Sequence, residues 1–112
     1  MSDGVTLHNQ RSEIMKELNI AKTNHRERGK LLAEAERIYR IAKARKILEL
    51  RAEKIAVTII LDLVKGDDEV SLLKFKRDCA EVEYKSLLEA VNILKLQLRV
   101  VEGDMENERR GM

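Results

Sequence analysis

The sequence predicts an all-α fold: a long antiparallel helical hairpin with a short apolar helix at its bend, packed in coiled-coil fashion and assembled as an oligomer. Three observations predict it. The 112 residues include no Pro and only 5 Gly, and 38% of them are charged. Such a chain, rich in Ala, Glu, Lys, Leu and Arg, favours long helices. A nearly unbroken heptad of apolar residues runs through 73–105. One oily stretch, "AVTIILDLVKGDDEV" at 56–70, separates two highly charged segments, and from Ile55 to Val64 only Asp62 carries a charge. Residues 1–112 read as one helical domain, with 1–5 and 106–112 as loose tails and helices over about 6–54, 58–65 and 68–105.

The helical period of the first element begins at Thr6 with Leu7, Ile14, Leu18 and Ala21. It weakens across "KTNHRERGK", 22–30, where Gly29 costs about 1 kcal/mol relative to Ala. A break near Asn24–Gly29 is one outcome; a continuous but weakened helix is the expectation. From Leu31 onward, Leu31, Leu32, Ala35, Ile38, Tyr39 and Ala42 fall in one stripe, while Ile41, Ala44 and Leu48 point elsewhere. A helix that is apolar on two sides needs two neighbours.

The β-branched run Val57, Thr58, Ile59 and Ile60 would suit a strand. A lone strand would leave its backbone groups unpaired, so a short helix is predicted. Thr58 is expected to cap it, Asp62 to lie in an early turn and Gly66 to take the left-handed position after its end. Being apolar nearly all round, this helix should be covered. Asp67 or Asp68 then caps the last helix, with Glu69 favourable in its first turn.

That last helix carries the seam. Leu73, Arg77, Ala80, Tyr84, Leu87, Val91, Leu94, Leu98, Val101 and Met105 are alternately 4 and 3 apart, and only Arg77 is not apolar. The spacing is that of a heptad. A charge at Arg77 is costly there unless it is paired, with Asp62, a carboxylate of the facing helix or a ligand as the candidates. Phe75, Cys79, Val82, Ile93 and Val100 lie on a different side. One seam is expected to meet residues 31–50 and the other a second subunit, making a homo-oligomer.

Charge and composition bound the function. The net charge is +2; residues 1–54 carry +5 and residues 55–112 carry −3. The single Cys excludes an internal disulfide and fits a reducing compartment. The N-terminus has no apolar core for a signal peptide, and the longest apolar run is too short to span a bilayer. A soluble cytoplasmic protein with no membrane partner is expected. No catalytic motif is present. His8 and His25 stand in polar surroundings, Cys79 reads as a small buried residue, and Asp67, Asp68 and Glu69 read as capping groups rather than half a metal site. No enzyme activity, metal or cofactor is expected.

The candidate binding residues are basic. Arg37, Arg40, Lys43 and Lys46 share one winding edge of the first long helix, and Lys74, Lys76 and Arg77 form a second patch beside the bend. Two readings stand for the edge. It could hold phosphates, of a nucleotide-type ligand or of nucleic acid; or it is a solvated edge paired with Glu36, Glu49 and acids near Glu83. The scarcity of aromatics argues against single-strand nucleic acid.

The segment 32–102, "LAEAERIYRIAKARKILELRAEKIAVTIILDLVKGDDEVSLLKFKRDCAEVEYKSLLEAVNILKLQLRVVE", combines an alanine-rich helix, a "VTII.D...GD" bend and "LKFKRD.AE..Y...LEA.N.LKL..R". In this it resembles a set of small helical proteins from phages and prophages of Gram-positive bacteria. The resemblance implies a phage origin and a small accessory role in the host cytoplasm, and it transfers no functional residues. The function expected is that of a non-enzymatic phage protein that binds and antagonises a host defence component, by docking on a host protein or by sequestering a phosphate-bearing ligand. A DNA recombination or replication accessory protein and a virion assembly protein are the alternatives.

Overall fold

The structure, a computed structural model, describes residues 2–111. It is all-helical: α1 spans Ser2–Ala52, α2 Val57–Lys65 and α3 Asp68–Arg110. Of the expected tails, residues 2–5 and 106–110 are helical and Gly111 is in a turn; Met1 and Met112 lie outside the described residues. At the C-terminus the extension has a local cause. Arg110 reaches Glu106 at 3.1 Å and Arg109 pairs with the same carboxylate, and both cations sit in the last turn, where the helix dipole favours them. No described helix is long and apolar enough to cross a membrane.

Contacts divide the chain into two compact units, Met1–Glu27 with Lys85–Met112, and Arg28–Tyr84. In the first unit Leu18 and Ala21 of α1 pack on Val91 of α3, with Leu94 and Leu98 against them. Arg11 reaches Glu102 at 3.0 Å. In the second unit Leu50, Ile60, Val64 and Val70 form the core, and Tyr39, Ala42, Ile47 and Ile55 pack around it. Arg28–Glu83 at 2.9 Å, Glu36–Arg77 and Lys46–Asp67 at 3.4 Å join α1 to α3 there, and residue numbers rise on one helix as they fall on the other.

The seam read from the heptad is the covered face of α3. In the second unit Leu73, Ala80 and Tyr84 are half-buried; in the first, Val91 and Val101 are buried and Leu87, Leu94 and Leu98 half-buried. Helix α1 continues through Gly29. A Cβ at that position would stand 3.2 Å from the Tyr84 ring, so the glycine admits a tyrosine rather than marking a break.

The corner differs from expectation in four ways. First, the left-handed residue is Lys54, at φ 62°, not Gly66, which is right-handed at φ −86°. The cause is a Schellman ending on α1. Ile55 N–H donates to the Leu50 carbonyl at 3.1 Å and Lys54 N–H to that of Arg51 at 3.0 Å, while Ile55 packs on the core that contains Leu50. Second, Ala56 rather than Thr58 is the N-cap of α2, and no side chain caps it. Third, α2 is largely uncovered: Ile60 and Val64 are buried, but Val57, Ile59, Leu61 and Leu63 are exposed. Nine residues lean on one side only, because the turns at both ends hold α2 against α1 and α3 by a single stripe. Fourth, Cys79 is exposed, since it lies on the α3 side opposite the seam. The cap of α3 is as expected, with Val70 N–H donating to Asp67 Oδ2 at 3.0 Å.

Candidate functional site

Three helices meet at the corner, and each brings the same device to it. On α1, Lys43 follows Tyr39 by one turn; on α2, Lys65 follows Leu61; on α3, Lys74 follows Val70. Residues four apart share a helical face, so each helix presents an apolar side chain with an ammonium one turn further on. All six line a single cleft of about 600 Å³, together with Val64, Ser71, Phe75 and Asp78. That volume lies in the range of small-ligand sites, about 300–1,000 Å³. The floor is apolar: Val64 and Val70 are buried and belong to the corner core, and Phe75 is 56% exposed.

The charges in the cleft are unequal. Three lysines face one carboxylate, Asp78. Lys74 lies 3.3 Å from Asp78 and is the chief cause holding that carboxyl below its ordinary range, helped by Arg77. Lys43 Nζ stands 6.0 Å from the centre of the Tyr39 ring, at the outer limit of a cation–π contact. Ser71 donates its hydroxyl to the Asp68 carbonyl at 3.2 Å. No His or Cys lines the cleft, and no group of three or more potential metal ligands occurs among the described residues.

The remaining basic residues read from the sequence go elsewhere. Arg37 pairs with Glu34 at 2.7 Å, which holds Glu34 down and Arg37 up in pKa. Arg40 pairs with Glu36 at 2.8 Å. Arg77 also binds Glu36, and it reaches Asp78 at 2.9 Å and Glu81 at 3.3 Å. The Arg77 guanidinium is the main cause of the lowered Glu36 pKa. Lys46 lies 3.7 Å from Glu49 and 3.4 Å from Asp67; Glu49 is the larger influence raising its pKa. Asp67 is held down first by the Val70 N–H. Lys76 is exposed and does not line the cleft. So the winding edge is not one surface. Lys43 of the edge and Lys74 of the second patch line the cleft, where Lys74 meets Asp78, and Arg37, Arg40, Lys46 and Arg77 are held by carboxylates outside that pairing.

Sequence reading missed Lys65, Tyr39 and Phe75 as members of a site. The apolar–Lys spacing of four marks Tyr39 and Lys65, but it recurs at Leu18–Lys22, Leu72–Lys76 and Val91–Lys95 away from the cleft, and Phe75 carries no such signal. Comparison with protein-family models, with curated proteins and with solved structures gives no match to this chain.

Proposed function

We propose that this chain is a non-enzymatic phage accessory protein that antagonises a host defence component by sequestering a phosphate-bearing ligand in the corner cleft. The observation that carries the reading is the convergence of Lys43, Lys65 and Lys74 on an apolar floor with Asp78 as the one opposing carboxylate. Ammonium groups hold phosphate oxygens as point charges, and an apolar floor takes the body of the ligand. The phage setting rests on the resemblance of 32–102. The cytoplasm of the host is the compartment in which such a ligand would be met.

The same proposal takes the chain as a helical hairpin with its bend at α2, assembled as a homo-oligomer by coiled-coil-like packing. What supports assembly is unspent apolar surface. On α2 Val57 is 74% and Ile59 47% exposed, and on α3 Val82 is 64% exposed; apolar side chains left in water gain free energy when a second copy covers them. Light scattering on the 12.9 kDa chain gives a multiple of that mass on this reading, and a monomer at micromolar concentration refutes it.

The ligand is tested with protein purified from a bacterial host. Heat-released small molecules are compared by mass spectrometry between wild type and the triple variant Lys43→Glu, Lys65→Glu, Lys74→Glu. The wild type is expected to carry a phosphate compound that the variant lacks, at equal helicity and equal oligomer size. Identical contents from the two proteins refute the reading. DNA binding is the less favoured function, because Arg37, Arg40, Lys46 and Arg77 each already contact a carboxylate. A steep salt-dependent affinity for duplex DNA would reverse that order.

A further inference from the structure

The chain has three aromatic residues, Tyr39, Phe75 and Tyr84. Two of them, Tyr39 and Phe75, line the lysine cleft. Phe75 is 56% exposed although it borders a buried core, and the Tyr39 ring already has a cation near it, 6.0 Å from its centre. An acyl chain would be served by Leu61, Val64 and Val70 alone, and a single acid group by one lysine. Two rings and three ammoniums match a ligand that has both a flat aromatic body and several negative charges. Asp78 sharpens the match. It holds Lys74 at 3.3 Å, so a ligand with one charge merely replaces it, whereas a polyphosphate displaces it and still engages Lys43 and Lys65.

We infer that the cleft takes a nucleoside di- or triphosphate, with the base against Phe75 and Tyr39 and the phosphates at Lys43, Lys65 and Lys74. The inference rests on the reading of the cleft as a phosphate site and adds the base and the number of phosphates. Every base has a π-face, so ATP serves as the probe whichever base is natural.

Calorimetric titration of the full chain, in low salt without divalent metal, compares ATP, AMP and inorganic tripolyphosphate. ATP is expected to bind at least about ten-fold more tightly than tripolyphosphate, the effect of one stacked base, and more tightly than AMP. Phe75→Leu keeps an apolar side chain but removes the ring. It is expected to weaken ATP about ten-fold and leave tripolyphosphate unchanged. Asp78→Asn is expected to tighten tripolyphosphate by freeing Lys74. Equal affinity for ATP and tripolyphosphate, or an unchanged ATP affinity in Phe75→Leu, overturns the nucleotide while the phosphate site stands. AMP binding as tightly as ATP overturns the polyphosphate requirement. No tightening in Asp78→Asn overturns the placing of phosphates at Lys74. Failure of all three probes on the wild type overturns both the inference and the reading beneath it.

Discussion

Val64→Ala tests whether α2 is truly anchored to the corner. Val64 is the most deeply covered side chain among the described residues, at 1% exposure, and it sits in the cluster of Leu50, Ile60 and Val70. The substitution removes two methyl groups, worth about 0.8 kcal/mol each. A remaining void the size of one water, about 30 Å³, adds about 0.7 kcal/mol at 24 cal/mol per Å³. The expected loss is about 2–2.5 kcal/mol. For a chain of this length that lowers Tm by about 8–10 °C. The control is Leu61→Ala on the same helix, 58% exposed, where a cost within about 0.5 kcal/mol is expected. Thermal melts followed by circular dichroism measure both. A Val64→Ala loss no larger than that of Leu61→Ala refutes the anchoring of α2 through Val64. A loss in Val57→Ala, at a position 74% exposed and outside the cleft, that is large at high protein concentration and shrinks on dilution identifies the outer side of α2 as a subunit contact.

Glycine is better placed at 54 than at 66. Lys54→Gly relieves a left-handed φ of 62° and should stabilise by about 1 kcal/mol. Gly66→Ala should be neutral or gain about 0.5 kcal/mol, since its Cβ meets only the Asp62 and Leu63 carbonyl oxygens at 3.7 and 3.8 Å; urea midpoints check both, and a loss at 66 would contradict its right-handed backbone. Ala56→Ser supplies the side-chain cap that α2 lacks and should add about 1 kcal/mol, read as a rise in Tm. Acid should weaken the fold in a defined window. Glu34 and Glu36 have folded-state pKa values below the ordinary 4.5, and Asp67 and Asp78 below the ordinary 3.8. Their contributions are complete above the ordinary values and are lost as pH falls through the lowered ones. Tm should therefore hold above about pH 5 and fall below it, and Glu36→Gln should make that fall shallower; an unchanged slope would refute the role of the Arg77–Glu36 pair.

The long-range order of α3 was legible because a heptad states which face is covered without naming the partner. Val91 and Val101 are buried where the seam placed them. Arg77 was legible as a costly charge in need of a partner, and Glu36 of α1, one of the facing carboxylates, answers it. What stayed hidden depends on the third dimension. Helical spacing puts Arg37, Arg40, Lys43 and Lys46 on one edge, yet the edge winds. Neighbouring glutamates and the close passage of α3 then decide which cation stays free for a ligand. The left-handed residue was missed because the rule that assigns it to Gly weighs the local backbone alone. At Lys54 the strain is offset by two hydrogen bonds and by the docking of Ile55 on the core. The exposure of α2 was missed because apolar composition states a preference for burial, and a nine-residue helix held at both ends meets that preference on one stripe only.

That narrow footing has a kinetic consequence. Two buried side chains, Ile60 and Val64, hold α2 in place, and its start has no side-chain cap. A segment with so few buried contacts opens far more often than the whole molecule unfolds. Amide protons of Val57–Lys65 should thus exchange with solvent as one group, well ahead of those of α1 and α3 beside it in Arg28–Tyr84. Because Leu61, Val64 and Lys65 form one wall of the cleft, each such opening is also an opening of the cleft. A bound ligand would then make itself known first as slowed exchange in these nine residues, before any change in the melting of the rest.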